Sequence, residues 1–423
     1  MQTAPKKVIW AWTMYDWANS AYSLIITSAI FPAFYTAIAP PQVHFLGRTF
    51  DRSALASYAI SFSFLLIAIL SPVLSSIADY RGNKKAFMQF FCYVGSIACI
   101  GMFFMRTEAD IPMGIILSVI ASIGYCGSIV FYNAYLPEIA AEEDQDRVSA
   151  KGFAMGYLGS VLLMVVCLAF ILLNDNLGWG LGSLPARISF LAVGIWWMGF
   201  AQITFVVLPT SKRPEQHPEH NILVNGFYEL KKVWNQLQHY PSLKRFLRSF
   251  FFYNMGVQTT MYLATYFASD ELKLASTELI ITVLIIQLVA IAGAYIFSII
   301  SKKTSNIIAL GILIIIWIGI CIAAYYVKTT IQFYELAFTV GMVMGGIQSL
   351  SRSTYSKLLP ETTDTASYFS FYDVCDKTGT VLGTLSFGYV AESLGGMRNS
   401  VLALMIYFIV GFVLLLFVHM KKK

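Results

Sequence analysis

Charged side chains are scarce in this chain. Only 12% of its 423 residues are Asp, Glu, Lys or Arg, whereas 57% are hydrophobic, and the mean hydropathy is +0.66. Soluble domains carry about 25% charged and about 45–50% apolar residues, so an ordinary soluble enzyme or nucleic-acid-binding domain is excluded. Histidine is rare too. His44, His217, His220, His239 and His419 fall in loops or at the chain end, leaving the apolar segments without a metal cluster or a nucleophile, base and acid set. No Gly-Lys phosphate loop is present, which argues against a nucleotide-driven pump. Cys92, Cys99, Cys126, Cys167, Cys321 and Cys375 all lie in apolar segments, so they read as packing residues and not as a disulfide framework. A cleavable leader pattern is also missing. Met1 to Val8 carries two lysines and runs into an apolar stretch too long for a signal sequence, and it is expected to stay as an uncleaved cytoplasmic end.

What is present is a series of long apolar runs. About 20 apolar residues cross a bilayer as a helix, and spans are expected over 9–39, 53–78, 86–105, 111–136, 150–173, 186–208, 246–268, 277–300, 307–327, 331–351, 366–390 and 399–419. The fold class is therefore an all-α integral membrane protein with twelve transmembrane helices in two six-helix bundles. Residues 1–208 form the first bundle, 209–245 a cytoplasmic linker and 246–423 the second. Loop charges agree with even spacing: 21 of the 29 Lys and Arg residues fall in loops on the side of the termini, as the positive-inside rule requires if both termini are cytoplasmic. Net charge +6 is thereby read as a topology signal, with no nucleic-acid partner. Within the linker, Ile222, Leu223, Phe227, Leu230, Val233, Trp234 and Leu237 recur at helical spacing and predict an amphipathic helix on the cytoplasmic membrane surface.

A weak internal repeat supports two matching halves. Tyr132 to Glu138 lies on Tyr355 to Glu361, and at the same offset Gly156 falls on Gly379. Gly152 with Gly156, and Gly379 with Gly383, then stand near the starts of the fifth and eleventh spans, where glycines four apart permit close helix approach.

Ionisable residues inside the spans are few. Asp16 sits in the polar-studded stretch Tyr15 to Tyr22, and at helical spacing Asp16, Asn19, Ser20, Ser23 and Thr27 share a face. A carboxylate in mid-bilayer costs about 2.5–3.5 kcal/mol on insertion scales, so it is expected to face protein or water and to serve function. The eleventh span holds Asp373, Asp376 and Lys377. Asp373 and Lys377 can pair four apart, whereas Asp376 is expected to point elsewhere. Two acids and one base leave a net negative charge that could take up and release a proton, so Asp16, Asp373, Asp376 and Lys377 are the coupling candidates, against the alternative of a static ion pair. Asn254 with Gln258, Tyr125 with Ser128 and Tyr132, and Gln348 with Arg352 share helix faces suited to a small solute, or to helix-to-helix hydrogen bonds. Glu138, Arg147 and Arg352 read as charges at the cytoplasmic mouth.

The loop Ser75-Ser76-Ile77-Ala78-Asp79-Tyr80-Arg81-Gly82-Asn83-Lys84-Lys85 resembles the cytoplasmic signature of the major facilitator superfamily, although a glycine usually stands where Ser75 is. Tyr15 to Tyr22, Leu136 to Ala140 through Asp146–Ser149 to Gly159, Gly345 to Ser353, and Phe371–Asp373 with Asp376-Lys377 resemble the branch of fungal vacuolar amino-acid effluxers and their bacterial relatives of unknown substrate. The resemblance implies the major facilitator fold, gating by Asp79, Gly82, Lys84 and Lys85, and a central cavity lined from spans one, four, seven and ten by Asp16, Asn19, Tyr125, Asn254, Gln258 and Gln348. Bacterial relatives commonly carry an aspartate where Met255 stands, so a coupling role does not carry over to that helix.

The expected function is secondary active transport of a small polar or zwitterionic solute, amino acids being one candidate, with protons as the coupling ion. No enzyme activity, cofactor or metal is expected. The expected partners are the solute, protons and the lipid bilayer, and a monomer in a bacterial cell membrane is the expected setting. A lipid-handling facilitator or a non-transporting receptor on the same fold is the alternative. Asp79→Ala should slow turnover while leaving substrate binding nearly unchanged, measured by initial uptake rates and equilibrium binding; abolished binding would make Asp79 a substrate ligand.

Overall fold

A bilayer leaves no water for unpaired backbone groups, so the apolar runs close their hydrogen bonds internally as helices. In the computed structural model, which describes residues 2–210, 222–274, 276–394 and 397–420, twelve long helices follow one another. We call them spans one to twelve: Lys6–Ile38, Arg52–Arg81, Lys84–Met102, Ile111–Ala134, Gln145–Leu177, Leu184–Val207, Pro241–Leu272, Ser276–Lys303, Asn306–Tyr326, Thr330–Leu358, Thr365–Leu394 and Met397–Leu415. Nine are long and apolar enough to cross a membrane by composition. The other three are spans seven, ten and eleven, which carry Asn254, Gln258, Gln348, Arg352, Asp373, Asp376 and Lys377. Their lower hydropathy marks helices that face other helices more than lipid.

Local chemistry sets the ends. Pro112, Pro185 and Pro241 open spans four, six and seven at positions where a missing N–H costs nothing. Ser305 and Thr329 cap spans nine and ten by accepting from Ile308 and Gln332 N–H groups. Between spans two and three the chain turns at Gly82, φ 62°, whose N–H bonds to Asp79 C=O while Asn83 N–H bonds to Ala78 C=O.

Two features depart from the expected pattern. Span one is π-helical over Tyr22–Ala29, ahead of Pro32, which cannot donate the N–H that would close the preceding turn. Along the predicted face Asp16 and Asn19 are buried, whereas Ser20, Ser23 and Thr27 are half-buried. Second, Gln42–Phe45 and Arg48–Asp51 form an antiparallel hairpin around Leu46-Gly47, both with φ above zero. Arg52 fastens it by donating to the carbonyls of Thr36 and Ala39, while Tyr35 donates to Arg52 C=O.

Small residues let the helices approach. A Cβ on Gly124 would lie 2.5 Å from Gly95 Cα and 2.7 Å from Phe91 C=O, so spans three and four meet backbone to backbone. Span five packs on span one through Gly156, opposite Ser20, and Gly159, against Trp17; span eleven packs on span seven through Gly379 and Gly383. The repeat seen in the sequence therefore places equivalent glycines at equivalent helix pairs, five on one and eleven on seven.

The linker helix Ile222–Gln238 buries Val233 and Leu237 against spans two, seven and eleven, with Lys231, Lys232 and Trp234 outward. The buried edge of the helix packs on protein, where Gln236 accepts from the Tyr368 hydroxyl at 3.2 Å and the half-exposed Trp234 ring leans on Phe371. Lys212, Arg213, His217, His220 and Lys421 to Lys423 lie outside the described residues, as do the side chains of Ile222, Leu223 and Phe227. Among the described residues all six cysteines are free, five of them buried.

Gly124→Val should lower the melting temperature of the purified protein by the equivalent of about 1–3 kcal/mol, the usual cost of overpacking. Gly178→Val tests sterics separately, since nothing lies within 4 Å of a Cβ there and only its positive φ resists. Equal shifts for the two would remove the close-packing argument.

Candidate functional site

Asp16 lies ten residues into span one, roughly 15 Å from its start, and is 7% exposed. It is not solvated at a membrane surface. Its Oδ2 accepts from the Tyr132 hydroxyl at 2.6 Å and from Arg352 Nη1 at 3.2 Å. Arg352 comes from span ten, 336 residues away, and is almost fully buried. It also donates to Asn133 Oδ1, Ser149 Oγ and Ser149 C=O. The rings of Trp12, Tyr132 and Phe153 surround the guanidinium at 4.9, 5.4 and 4.1 Å. Gly152 makes room, because a Cβ there would stand 2.6 Å from Asp16 Oδ2 and 2.8 Å from Arg352 Nη2.

A second cluster occupies span eleven. Asp376 accepts from Asn254 Nδ2 at 2.7 Å, Gln258 Nε2 at 2.8 Å and Lys377 Nζ at 2.6 Å. Asp373 stands 3.8 Å from Lys377, and its Oδ2 is buried without a hydrogen-bond partner. The expectation that Asp376 points away from Lys377 is therefore corrected: the long lysine stem folds back along its own helix, and the adjacent acid makes the shorter pair. Lys377 also lies 5.5 Å from the Phe64 ring of the first half.

Between the clusters, Tyr157 donates to Gln348 Oε1 at 2.6 Å, and Gln348 contacts Met261 Sδ at 3.4 Å. Tyr125 lies within electrostatic reach of both Asp16 and Lys377. Tyr125, Gln258, Gln348 and Asp376 keep partial exposure in mid-span, so they border accessible space inside the molecule. Asn254 is buried on Asp376, and Asn19 is buried with its Nδ2 unpartnered, behind that surface. A separate apolar cavity lined by Phe267, Ile286 and Phe333 offers no charged group and lies apart from this chemistry.

The halves are joined at the basic end, where Arg81, Lys84 and Lys302 lie. Asp79 accepts from Ser367 N–H at 2.6 Å, Ser367 Oγ at 2.7 Å and Ala366 N–H at 3.3 Å, so a carboxylate of the first half caps the helix dipole of span eleven. Lys84 pairs with Asp79 at 3.3 Å and with Glu138, and donates to Thr365 Oγ1 at 2.6 Å; Thr365 in turn donates to Glu138. Lys85 differs from the gating expectation, since it donates to Leu208 C=O within its own half. Sequence reading missed Asp146. This buried residue of span five accepts from Ser301, Asn306 and Lys357, all of the second half, at 2.7–2.9 Å. At the opposite end, Arg398 pairs with Glu271 and Arg187 donates to Phe103 C=O, each within one half.

Two matched bundles, an interior lined by a few ionisable residues and ion pairs that bridge the bundles at one end define a transporter of the major facilitator type. The solved structures agree on the fold: the human organic anion transporter MFSD10 superposes with a TM-score of 0.71 at 12% identity, covering 97% of this chain and 100% of that one. The transporter FucP, crystallised in the outward conformation, gives 0.70 at 13% identity, covering 98% of each chain. The chain belongs to the family described as "Vacuole effluxer Atg22 like", which matches residues 4–423. It is 33% identical to the uncharacterized MFS-type transporter YxiO of Bacillus subtilis, covering 96% of this chain and 94% of that one. It is 27% identical to autophagy-related protein 22 of Kluyveromyces lactis, covering 86% of this chain and 80% of the relative. The chain is thus a multi-pass membrane transporter and not an enzyme.

Asp146→Ala should raise backbone hydrogen exchange in 301–308 and Asp79→Ala in 365–370, each leaving the other segment unchanged, by mass spectrometry of the purified protein. Equal effects of either substitution on both segments would show general destabilisation in place of two separate latches.

Proposed function

We propose that the chain works by alternating access, moving a small polar or zwitterionic solute, with amino acids as the first candidates, in exchange of energy with protons. The observation that carries this reading is the Asp16–Arg352 pair. It joins the two halves in the interior, beside partly exposed polar groups, and one state of a rocking transporter must break it. Net charge near zero at Asp16 and Arg352, and one negative at Asp373, Asp376 and Lys377, suits a solute that carries both signs.

Proton coupling is assigned to the second cluster. Asp373 Oδ2 holds no hydrogen bond, so a proton added there displaces no partner, while Asp376 remains held by Lys377, Asn254 and Gln258. Asp79, Gly82, Lys84 and Glu138, joined by Asp146 and Lys357, serve as the gate at the basic end. Arg352 closes the path above them. That end is read as cytoplasmic from the loop charges, which places both termini in the cytoplasm and makes the described arrangement outward-facing. The relative from Bacillus subtilis supports a bacterial cell membrane, and the family's description as a vacuole effluxer supports solute movement, with amino acids proposed from the polar, charge-balanced interior. We take the monomer as the working unit.

Reconstitution in liposomes tests this. Asp373→Asn should lose pH-gradient-driven accumulation and retain solute counterflow, and Asp16→Asn should impair both. If both variants keep full gradient-driven accumulation, coupling through these carboxylates is wrong.

A further inference from the structure

The surroundings of Arg352 are unequal in origin. Every hydrogen bond of its guanidinium goes to the first half, to Asp16, Asn133 and Ser149, and so do its three ring contacts. Trp12 and Tyr132 stack on each other with centroids 4.4 Å apart and planes 13° from parallel, and the indole N–H is tied to Tyr132 C=O at 3.0 Å. The Trp12, Tyr132 and Asp16 side of the cage is thus held together by its own bonds, whether or not a cation fills it. Span ten contributes the cation and one backbone acceptor, Ser349 C=O, to which the Ser149 hydroxyl donates at 2.8 Å.

This has a consequence when the halves part at the basic end. Arg352 leaves with the second half, and Asp16 stays behind in an aromatic pocket without its counter-charge. A proton could neutralise the carboxylate, but it would make no use of the rings. An organic cation with N–H donors satisfies both, through an ion pair to Asp16 and cation–π contact with the rings. Gly152 keeps the pocket open: any side chain there would meet Asp16, Arg352 and Tyr132 together.

We propose that the cage of Trp12, Asp16, Tyr132, Asn133, Ser149 and Phe153 binds the amino or guanidino group of the transported solute, and that Arg352 is a built-in competitor for the same site. The proposal rests on the transport reading above and names the group that its solute presents. Solute and Arg352 occupy the cage in turn, so binding of the solute cation opens the interior latch, and return of Arg352 expels the cation.

The test uses the full-length purified protein and measures melting temperature with small cations. In Arg352→Ala the cage is vacant in every state, and methylguanidinium or methylammonium at millimolar concentration should raise the melting temperature by several degrees. The wild type, whose cage is filled, should respond far less. Tetramethylammonium, which has no N–H to offer Asp16, should do less than methylammonium, and the double variant Asp16→Asn with Arg352→Ala should not respond. If Arg352→Ala does not fold, Arg352→Gln carries the same titration. The same responses in the variant and the wild type, no response in either Arg352 variant, or an undiminished response without Asp16, would each overturn the cage. The outcome is separable from the transport reading: cation rescue with no accumulation in liposomes would keep the cage and reject transport of such solutes, whereas accumulation without rescue would do the reverse.

Discussion

A charge withdrawn from water has to find its partner inside the protein, and here the partners are supplied across the divide between two bundles. Asp16 and Asp146 belong to the first half, and Arg352 and Lys357 to the second. Removing one member of such a pair leaves the other buried and alone, at a cost of about 3–5 kcal/mol. Separation of the halves therefore cannot be gradual. Each pair stays made until something else can satisfy both of its members, which confines the molecule to a few discrete arrangements.

The helices that carry these groups are shaped by the same constraint. Spans seven, ten and eleven give up hydropathy to hold amides and charges, and bury Asn254, Arg352, Asp373 and Lys377 against their neighbours. Glycines at 152 and 156 bring span five close enough to span one for Asp16 to be covered, and glycines at 379 and 383 do the equivalent for spans eleven and seven. The basic end adds a different device. Asp79 binds no cation of the second half but the N-terminus of span eleven, whose backbone donors are free because a helix leaves its first N–H groups unpaired.

Much of the fold was legible in the sequence because hydropathy and loop charge are local properties. Twelve spans, the linker helix and the turn at Gly82 all follow from residues near one another. Of the site, Asp16, Asp373, Asp376 and Lys377 stood out as charges where charges are expensive. Their partners did not. Arg352 lies 336 residues from Asp16, and it was read as a gate charge at the cytoplasmic mouth because it stands near the end of a span. Asp146 was hidden among the acids of its loop, Glu142, Glu143 and Asp144. The signal that could have found it is arithmetic: Lys357 closes span ten on the side where Asp146 opens span five, at the same depth. The π-helical stretch and the hairpin at Leu46-Gly47 were missed for a plainer reason, since each depends on one residue, Pro32 or Gly47, inside an otherwise ordinary run.

The uneven sharing of charge between the halves bears on how the chain assembles as it is made. In lipid, apolar surfaces give helices little reason to prefer one neighbour over another, so polar contacts decide which bundle meets which. The first half enters the membrane with Asp16, Asp79 and Asp146 on its joining face. Two copies of that half, paired in the same way, would set acid against acid. Two copies of the second would confront Arg352 and Lys357 with cations of their own kind. Although the two bundles share a plan, the buried pairs Asp16–Arg352 and Asp146–Lys357 are each completed only by one copy of either half.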